Sequence, residues 1–504
     1  PKEALELFLI HKMLPCPDFC LLSPLYNVQK KANDRHPIVK PKLSDANVQD
    51  LKLYIRWSKL RTFHERHKFM PGRIKDDVVP KIWHAFYTNS KPSAVPYKDV
   101  LDIELEGSFS FRDFTNLEYE LIKDKTMSPE NAKSVYSTND YASATLDKTN
   151  QVANYLMNPV FRNQRDARNY LIDELKRGNN QTSNKIALKP EAKKPNSRCF
   201  FMANDESRRV LSEFEQNISS YLITKPGSVS GKDDITVEKI KSDLALLIPK
   251  EGNFMLVKKS FDLAGFSPQS DPMMQDYNID LWCECFGLDY SSLIKSIKYG
   301  SFTYWDKFGF KDQYTGIGQD MEGYFAKLNT DLHVDVMAYS VSVCREMNLI
   351  PKGNRLAVLI DDGLMSELHP LQTTRERIME VTKVQEEIYN MIGWKWSWDK
   401  FYISKEFAVF LNDYYYRGKK VTPGLKAFLK IGITEDSACK NIVDDTSSLE
   451  GQVTGAIKSG AGYTVAYCSY IIHWILILKR WTKFRQKFTD NQVICSIFPV
   501  ALGG

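Results

Sequence analysis

An α+β fold class is predicted by three observations: two strand-like apolar runs that each end in aspartate, and a helical pattern that dominates from Thr422 onward. The first run is Leu356-Ala357-Val358-Leu359-Ile360, followed at once by Asp361-Asp362-Gly363 and then Leu364. An apolar, β-prone stretch that breaks at two acids and a glycine is the pattern of a strand–turn–strand hairpin with carboxylates at its tip. The second run, Phe254 to Phe261, closes on Asp262, 99 positions before Asp361. That separation leaves room for helices which would bring both strands into one sheet.

The other elements follow in order. Residues 1 to about 100 mix helical periodicity with proline breaks at Pro37, Pro41, Pro71, Pro80, Pro92 and Pro96. Lys225 to Asp234, with Pro226-Gly227-Ser228, is expected to be a flexible loop between two helices. Val381 to Ile392 is helical in pattern, with Gly393 as its C-terminal cap. Phe401-Tyr402-Ile403 and Phe407 to Leu411 are strand-like, and Tyr416-Arg417-Gly418-Lys419 is turn-like. Tyr463 to Leu478 is apolar but carries Ser469 and His473 and is short for a span, so a buried core helix is expected and no membrane span.

Composition narrows the function classes. A chain of 504 residues, 43% hydrophobic, can bury a large core and hold several subdomains. Its net charge of +6 excludes a tail-like polycation, yet basic residues are dense at 56–75, 189–209 and 479–487. Three such stretches, interleaved with aromatic and apolar residues, favour nucleic acid over a membrane surface. Nine cysteines without regular spacing predict free thiols and a reducing compartment. Cys283 and Cys285 lie in an apolar, buried run; His64 and His67 have helical spacing without a matching ligand cluster, which points to structural roles. The first residue, Pro1, and an abrupt end at Gly504 predict a piece cut from a longer protein.

The acids carry the chemistry. Asp-Asp also occurs at Asp76-Asp77, Asp233-Asp234 and Asp444-Asp445, and most such pairs are solvated turns or helix caps. Only Asp361-Asp362 has a long apolar run before it and a glycine after it. Two carboxylate-bearing strand ends suit a pair of Mg²⁺ or Mn²⁺ ions flanking an in-line displacement. Between them, Gly316 and Gly318 permit close backbone approach to a sugar or phosphate, ahead of the helix-compatible stretch Glu322-Gly323 to Lys327. Upstream, Lys189, Lys193, Lys194, Arg198, Arg208 and Arg209 form a basic block of the kind that neutralises a leaving pyrophosphate.

In this order, from Lys123 to Gly504, these pieces resemble the RNA-dependent RNA polymerase core of the large (L) proteins of negative-strand RNA viruses. The likeness is mononegavirus-like and nearest to the divergent qinvirus and yuevirus type, because motif C is Ile360-Asp361-Asp362 where many relatives have Gly-Asp-Asn. Lys189, Lys194, Arg198 and Arg208 are similar to the phosphate-binding motif F, and Asp262 to the metal ligand of motif A. Gly316, Gly318, Glu322, Gly323 and Lys327 resemble motif B, which contacts template and ribose. Lys400 and Lys395 are both candidates for the general acid of motif D. Tyr415 to Lys419 resembles motif E.

The resemblance implies a right-hand polymerase fold: fingers, a palm built on an antiparallel sheet, and a helical thumb. The expected divisions are 1–110, an N-terminal region leading into the fingers; 111–250, fingers with motif F; 251–405, palm with motifs A to D, the motif B region packing toward the fingers; and 406–504, motif E and a truncated thumb. It further implies Asp262 and Asp361 as metal ligands with Asp362 as a catalytic neighbour, and Mg²⁺ or Mn²⁺ as cofactor. Expected partners are RNA template and product, ribonucleoside triphosphates, and a viral nucleoprotein or polymerase cofactor. The expected location is the virion and host-cell cytoplasm, with the nucleus left open. Capping and methyltransferase activities would lie beyond Gly504. Two alternatives stand beside it: a catalytically inactive RNA-binding relic, such as an endogenised viral fragment, and a reverse transcriptase.

Overall fold

A computed structural model describes residues 45–68, 105–112, 164–177, 184–189, 198–202, 205–245, 253–305, 311–315, 324–350, 354–421 and 442–483, with single positions at 26, 424, 428 and 431. Its order is α1 (Asp45–His67), α2 (Gln164–Lys176), β1 (Asn184–Lys189), β2 (Arg198–Met202), α3 (Asp205–Leu222) and α4 (Asp234–Ala245). Then come β3 (Phe254–Ala264), α5 (Phe266–Gln269), α6 (Pro272–Phe286), α7 (Ser291–Lys298), β4 (Ser301–Trp305) and β5 (Lys311–Thr315). The acid hairpin follows α8 (Ala326–Glu346) as β6 (Asn354–Leu359) and β7 (Asp362–Pro370), ahead of α9 (Arg375–Asn390) and β8 (Lys395–Trp396). The remainder is β9 (Tyr402–Ser404), β10 (Phe407–Phe410), β11 (Asp413–Tyr416), β12 (Lys419–Lys420), α10 (Ile442–Lys458) and α11 (Tyr463–Lys483). The chain is α+β, and its sheet pairings are antiparallel except for β1 with β4.

The sheet that matters for function has the order β6-β7-β3, with β8 and β9 both pairing the far edge of β3. β3 therefore has partners on both edges, which explains why its residues from Val257 to Phe261 are all buried. The lysines buried among them are paired: Lys259 Nζ with Glu367 (2.7 Å) and Gln385 Oε1 (2.7 Å), while Lys258 Nζ donates to Lys405 O (2.7 Å). β10, β11 and β12 form a small neighbouring sheet, and Val409 N–H donates to Ser260 Oγ (2.9 Å) to tie it to β3. A further sheet, β2-β1-β4-β5, stands apart from these.

Helix α8 is the axis of the core. Leu328 to Met337 is buried without a break, and α1, α3, α6 and α9 pack around it. A helix with no solvent face must satisfy its polar residues internally. Asp331 does so with Lys59, Lys225, Trp282 Nε1 (2.8 Å) and Asn278 Nδ2 (3.2 Å). Asp335 is bridged by the same two lysines, Lys225 at 2.6 Å and Lys59 at 3.3 Å.

Three expectations need correction. The basic stretch opening at Arg56 is not a phosphate-facing surface at its start: Lys59 is fully buried against Asp331, and Arg56 pairs with Glu284. The Lys225 to Asp234 loop is pinned, not flexible. Val358 N–H donates to Gly227 O (2.9 Å), Val229 N–H donates to Val358 O (3.2 Å), and Ser228 to Ser230 is buried. Helix α11 is buried on one side only, at Ala466, Tyr470, Trp474 and Ile477; Val465, Ile472, Ile475 and Leu476 are exposed. No helix among the described residues is long and apolar enough to cross a membrane. The Val381 helix begins earlier, at Arg375, where Thr374 Oγ1 accepts from Arg377 N–H and caps it.

Candidate active site

The acids meet where β3 and β7 end side by side. In the β3–β7 register Asp262 stands opposite Asp362, and Leu359 opposite Asp362 closes a two-residue turn made of Ile360 and Asp361. Asp361 is thus at the tip and Asp362 is the first residue of β7. The glycine after them is required by space: a Cβ at Gly363 would lie 2.6 Å from the Phe261 ring on the neighbouring strand. Small size here lets β3 and β7 close at their acidic ends.

The turn is strained and clamped. Ile360 has φ of +54°, in the left-handed region where a β-branched residue is unfavourable. Both of its backbone groups are held by α8. Its N–H donates to Thr330 Oγ1 (3.1 Å), and its carbonyl accepts from His333 Nδ1 (2.7 Å). Since a carbonyl only accepts, Nδ1 carries the proton and Nε2 accepts from the Tyr389 hydroxyl (3.1 Å). Burial pushes the His333 pKa down to about 4, against the pull of the Ile360 bond, so the ring is neutral near pH 7.

The acids at the tip act on one another. Burial first, then the carboxylates of Asp361 and Asp262, push Asp362 up to about 7; Lys400 pulls the other way. Lys400 Nζ donates to Asp262 Oδ2 as an ion pair. Burial lowers the Lys400 pKa, but Asp262 outweighs it and holds the ammonium above the usual lysine value. The lysine reaches the acid because Ser397 N–H donates to the Asp262 carbonyl (2.9 Å) and a 3₁₀ turn, Trp398–Lys400, folds back over the strand end. Lys395, the other candidate acid, lies on β8 opposite Ala264.

The remaining sequence-derived positions divide cleanly. Lys189 and Arg198 are register partners, the last residue of β1 and the first of β2. Arg208, on α3, is close enough to Glu215 and Tyr324 to bias both. Glu215 accepts from the N–H groups of Lys327 (2.7 Å) and Leu328 (3.0 Å), so it caps the start of α8; burial nonetheless pushes its carboxyl up to about 7. Lys194, Gly316, Gly318, Glu322 and Gly323 lie outside the described residues.

A divalent cation fits the tip by donor chemistry. Carboxylate oxygens are the ligands Mg²⁺ and Mn²⁺ take, and a dication offsets both the burial and the neighbouring carboxylates that raise Asp362. Among the described residues no cluster of three or more His, Cys, Asp or Glu side chains is already arranged for a metal, and Lys400 sits on the Asp262 oxygen. The clamp formed by Thr330, His333 and Tyr389 was missed from sequence. No protein-family model matches the chain, and no curated protein matches it.

Proposed function

We propose that the chain is a template-directed RNA polymerase with a right-hand fold, whose reaction centre is the Asp262/Asp361/Asp362 strand end. The observation that carries this reading is the β3–β7 register, which sets an acid from one buried strand against an acid hairpin in an antiparallel sheet. Burial and the neighbouring carboxylates that raise Asp362 favour a cation-dependent reaction over a structural acid pair. Helix α8 starts where Glu215 caps it, with Arg208 nearby, and its first turns hold the hairpin through Thr330 and His333.

Asp262 and Asp361 would hold Mg²⁺ or Mn²⁺, with Asp362 beside them. Two such ions supply Lewis-acid stabilisation of the attacking 3′-oxygen and the leaving pyrophosphate. The chain's own groups do the rest. Lys400, ion-paired to Asp262, would supply its ammonium proton to the leaving pyrophosphate oxygen. Arg208, with Lys189, Lys194 and Arg198, neutralises the triphosphate. Template and product RNA, ribonucleoside triphosphates and a viral nucleoprotein or polymerase cofactor are the corresponding partners, in virion and host cytoplasm.

The test is incorporation of labelled ribonucleotides on an RNA primer–template with Mg²⁺ or Mn²⁺, comparing the parent with Asp361→Ala. Incorporation that vanishes in the variant supports the assignment; incorporation that survives removes Asp361 from the site. RNA binding without incorporation in either protein would favour the RNA-binding relic.

A further inference from the structure

The geometry points to His333 as the positioning residue that fixes the direction of the Asp361 carboxylate, acting through the peptide between Ile360 and Asp361. The role of Asp361 itself rests on the function proposed above; the clamp does not.

A peptide unit is planar, so its carbonyl and the next residue's N–H and Cα turn together. His333 Nδ1 holds the Ile360 carbonyl at 2.7 Å, and rotation of that peptide would swing the Asp361 Cα and its side chain. The preceding peptide is held as well, by Thr330 one turn earlier on the same face of α8. Neither anchor can drift. The Thr330 hydroxyl donates in turn to Ala326 O (2.8 Å). The His333 ring is wholly buried, bonded to Tyr389 and packed against Phe261, Phe266 and Trp394. What the clamp opposes is visible at Ile360, whose positive φ would relax toward an extended or right-handed backbone if its carbonyl were released. Backbone strain at a reactive turn persists only where the surroundings over-determine it, and two bonds from one buried helix do so here. Helix α8 thus couples the Glu215-capped end to the acid tip through a single rigid body.

Three variants separate positioning from packing. His333→Asn keeps a δ-nitrogen donor at the same branch point of the side chain, whereas His333→Phe keeps aromatic volume and removes the donor. Tyr389→Phe frees Nε2 and leaves the ring in place. Hydrogen exchange over residues 359–363 reads the clamp directly. Exchange in His333→Phe is expected to rise about tenfold there and to stay at the parent level over residues 364–368. His333→Asn should retain most of the protection and Tyr389→Phe should lie between. In nucleotide incorporation His333→Phe should lose about a hundredfold in kcat with KM for nucleotide little changed, as misplacement of a reacting group does. Equal losses in the Asn and Phe variants, or unchanged exchange at 359–363, would overturn the inference. Should His333→Phe fail to fold, the Asn and Tyr389→Phe variants decide: identical exchange in both and in the parent would overturn it. A parent that incorporates nothing would sink the polymerase function, while the exchange result would still decide the clamp.

Discussion

Two acid assemblies, one buried at the middle of α8 and one half-buried at the β3–β7 end, use the same residue type to opposite ends. Around Asp331 and Asp335 two lysines, Lys59 and Lys225, match two carboxylates, and Trp282 and Asn278 fill further acceptor positions. Burial alone would raise Asp331, but Lys225 and Lys59 hold it well below the usual carboxylate range. Among the described residues, Asp262, Asp361 and Asp362 gather at the strand end beside Lys400, whose ammonium is about half in solvent. There Asp362 is pushed up to about 7. Lysines paired to each acid lock a helix in place, whereas at the strand end burial and neighbouring carboxylates hold Asp362 high. The difference lies in the partners, not in the aspartates.

The comparison can be broken in four ways. The largest effect should come from Asp361→Ala, with incorporation reduced about ten-thousandfold, equivalent to roughly 5 kcal/mol of barrier. Its thermal midpoint should stay near that of the parent, since the residue sits at a turn tip. A matching collapse in stability would make the acid structural.

Next, Lys59→Met should cost about 4 kcal/mol of folding stability, because it leaves a buried carboxylate pair with one lysine. Denaturant unfolding measures this, and a loss below about 1 kcal/mol would mean the cluster is not holding the core.

The third effect is a pH dependence. His333 has a folded pKa of about 4, below the ordinary 6.5 of a histidine, so the unfolded chain binds the extra proton between those values. Its contribution to stability is complete above pH 6.5 and falls away as pH drops toward 4, by about 3 kcal/mol in all. The gap between parent and His333→Asn should therefore be constant above pH 6.5, with the parent losing about 3 kcal/mol relative to the variant as pH falls from 6.5 to 4. Parallel curves would show that His333 is not buried neutral.

The smallest effect concerns Asp362. A carboxyl raised from 3.8 to about 7 costs the folded state nothing below pH 3.8 and its full penalty above pH 7. In cation-free buffer at pH 8, Asp362→Asn should stabilise the fold by about 2 kcal/mol, discounted for its partial exposure. Mn²⁺ should raise the thermal midpoint of the parent more than that of the variant. The absence of any such gap would mean that burial and the neighbouring carboxylates do not raise Asp362.

Much of this architecture was legible in the sequence, for local reasons. The runs ending at Asp262 and Asp361 became β3 and β6, because buried strands are written as apolar runs and turns as polar breaks. β9, β10 and the turn at Arg417-Gly418 also lie where the pattern put them. What stayed hidden depends on distant partners. Lys59 and Asp331 are 272 positions apart, so a basic stretch at the start of the chain gave no sign of an acid in α8. One clue existed: Lys59 falls midway between Ile55 and Phe63 at spacings of four, on the buried stripe of α1. A lysine on an apolar stripe asks for a buried carboxylate. The strain at Ile360 had no such clue, because an isoleucine before Asp-Asp reads as the last residue of a strand.

The register that joins Asp262 to Asp362 spans 99 intervening residues, among them the whole of α8. The β6–β7 hairpin, by contrast, closes over two. Short loops close early in folding and long ones late, because chain entropy must be surrendered before a distant pairing repays it. During synthesis, then, the hairpin can form as soon as its own residues emerge, but its acids have no partner until β3 docks alongside. The competence of the centre is an end product of assembly, and a half-folded chain carries its acids apart.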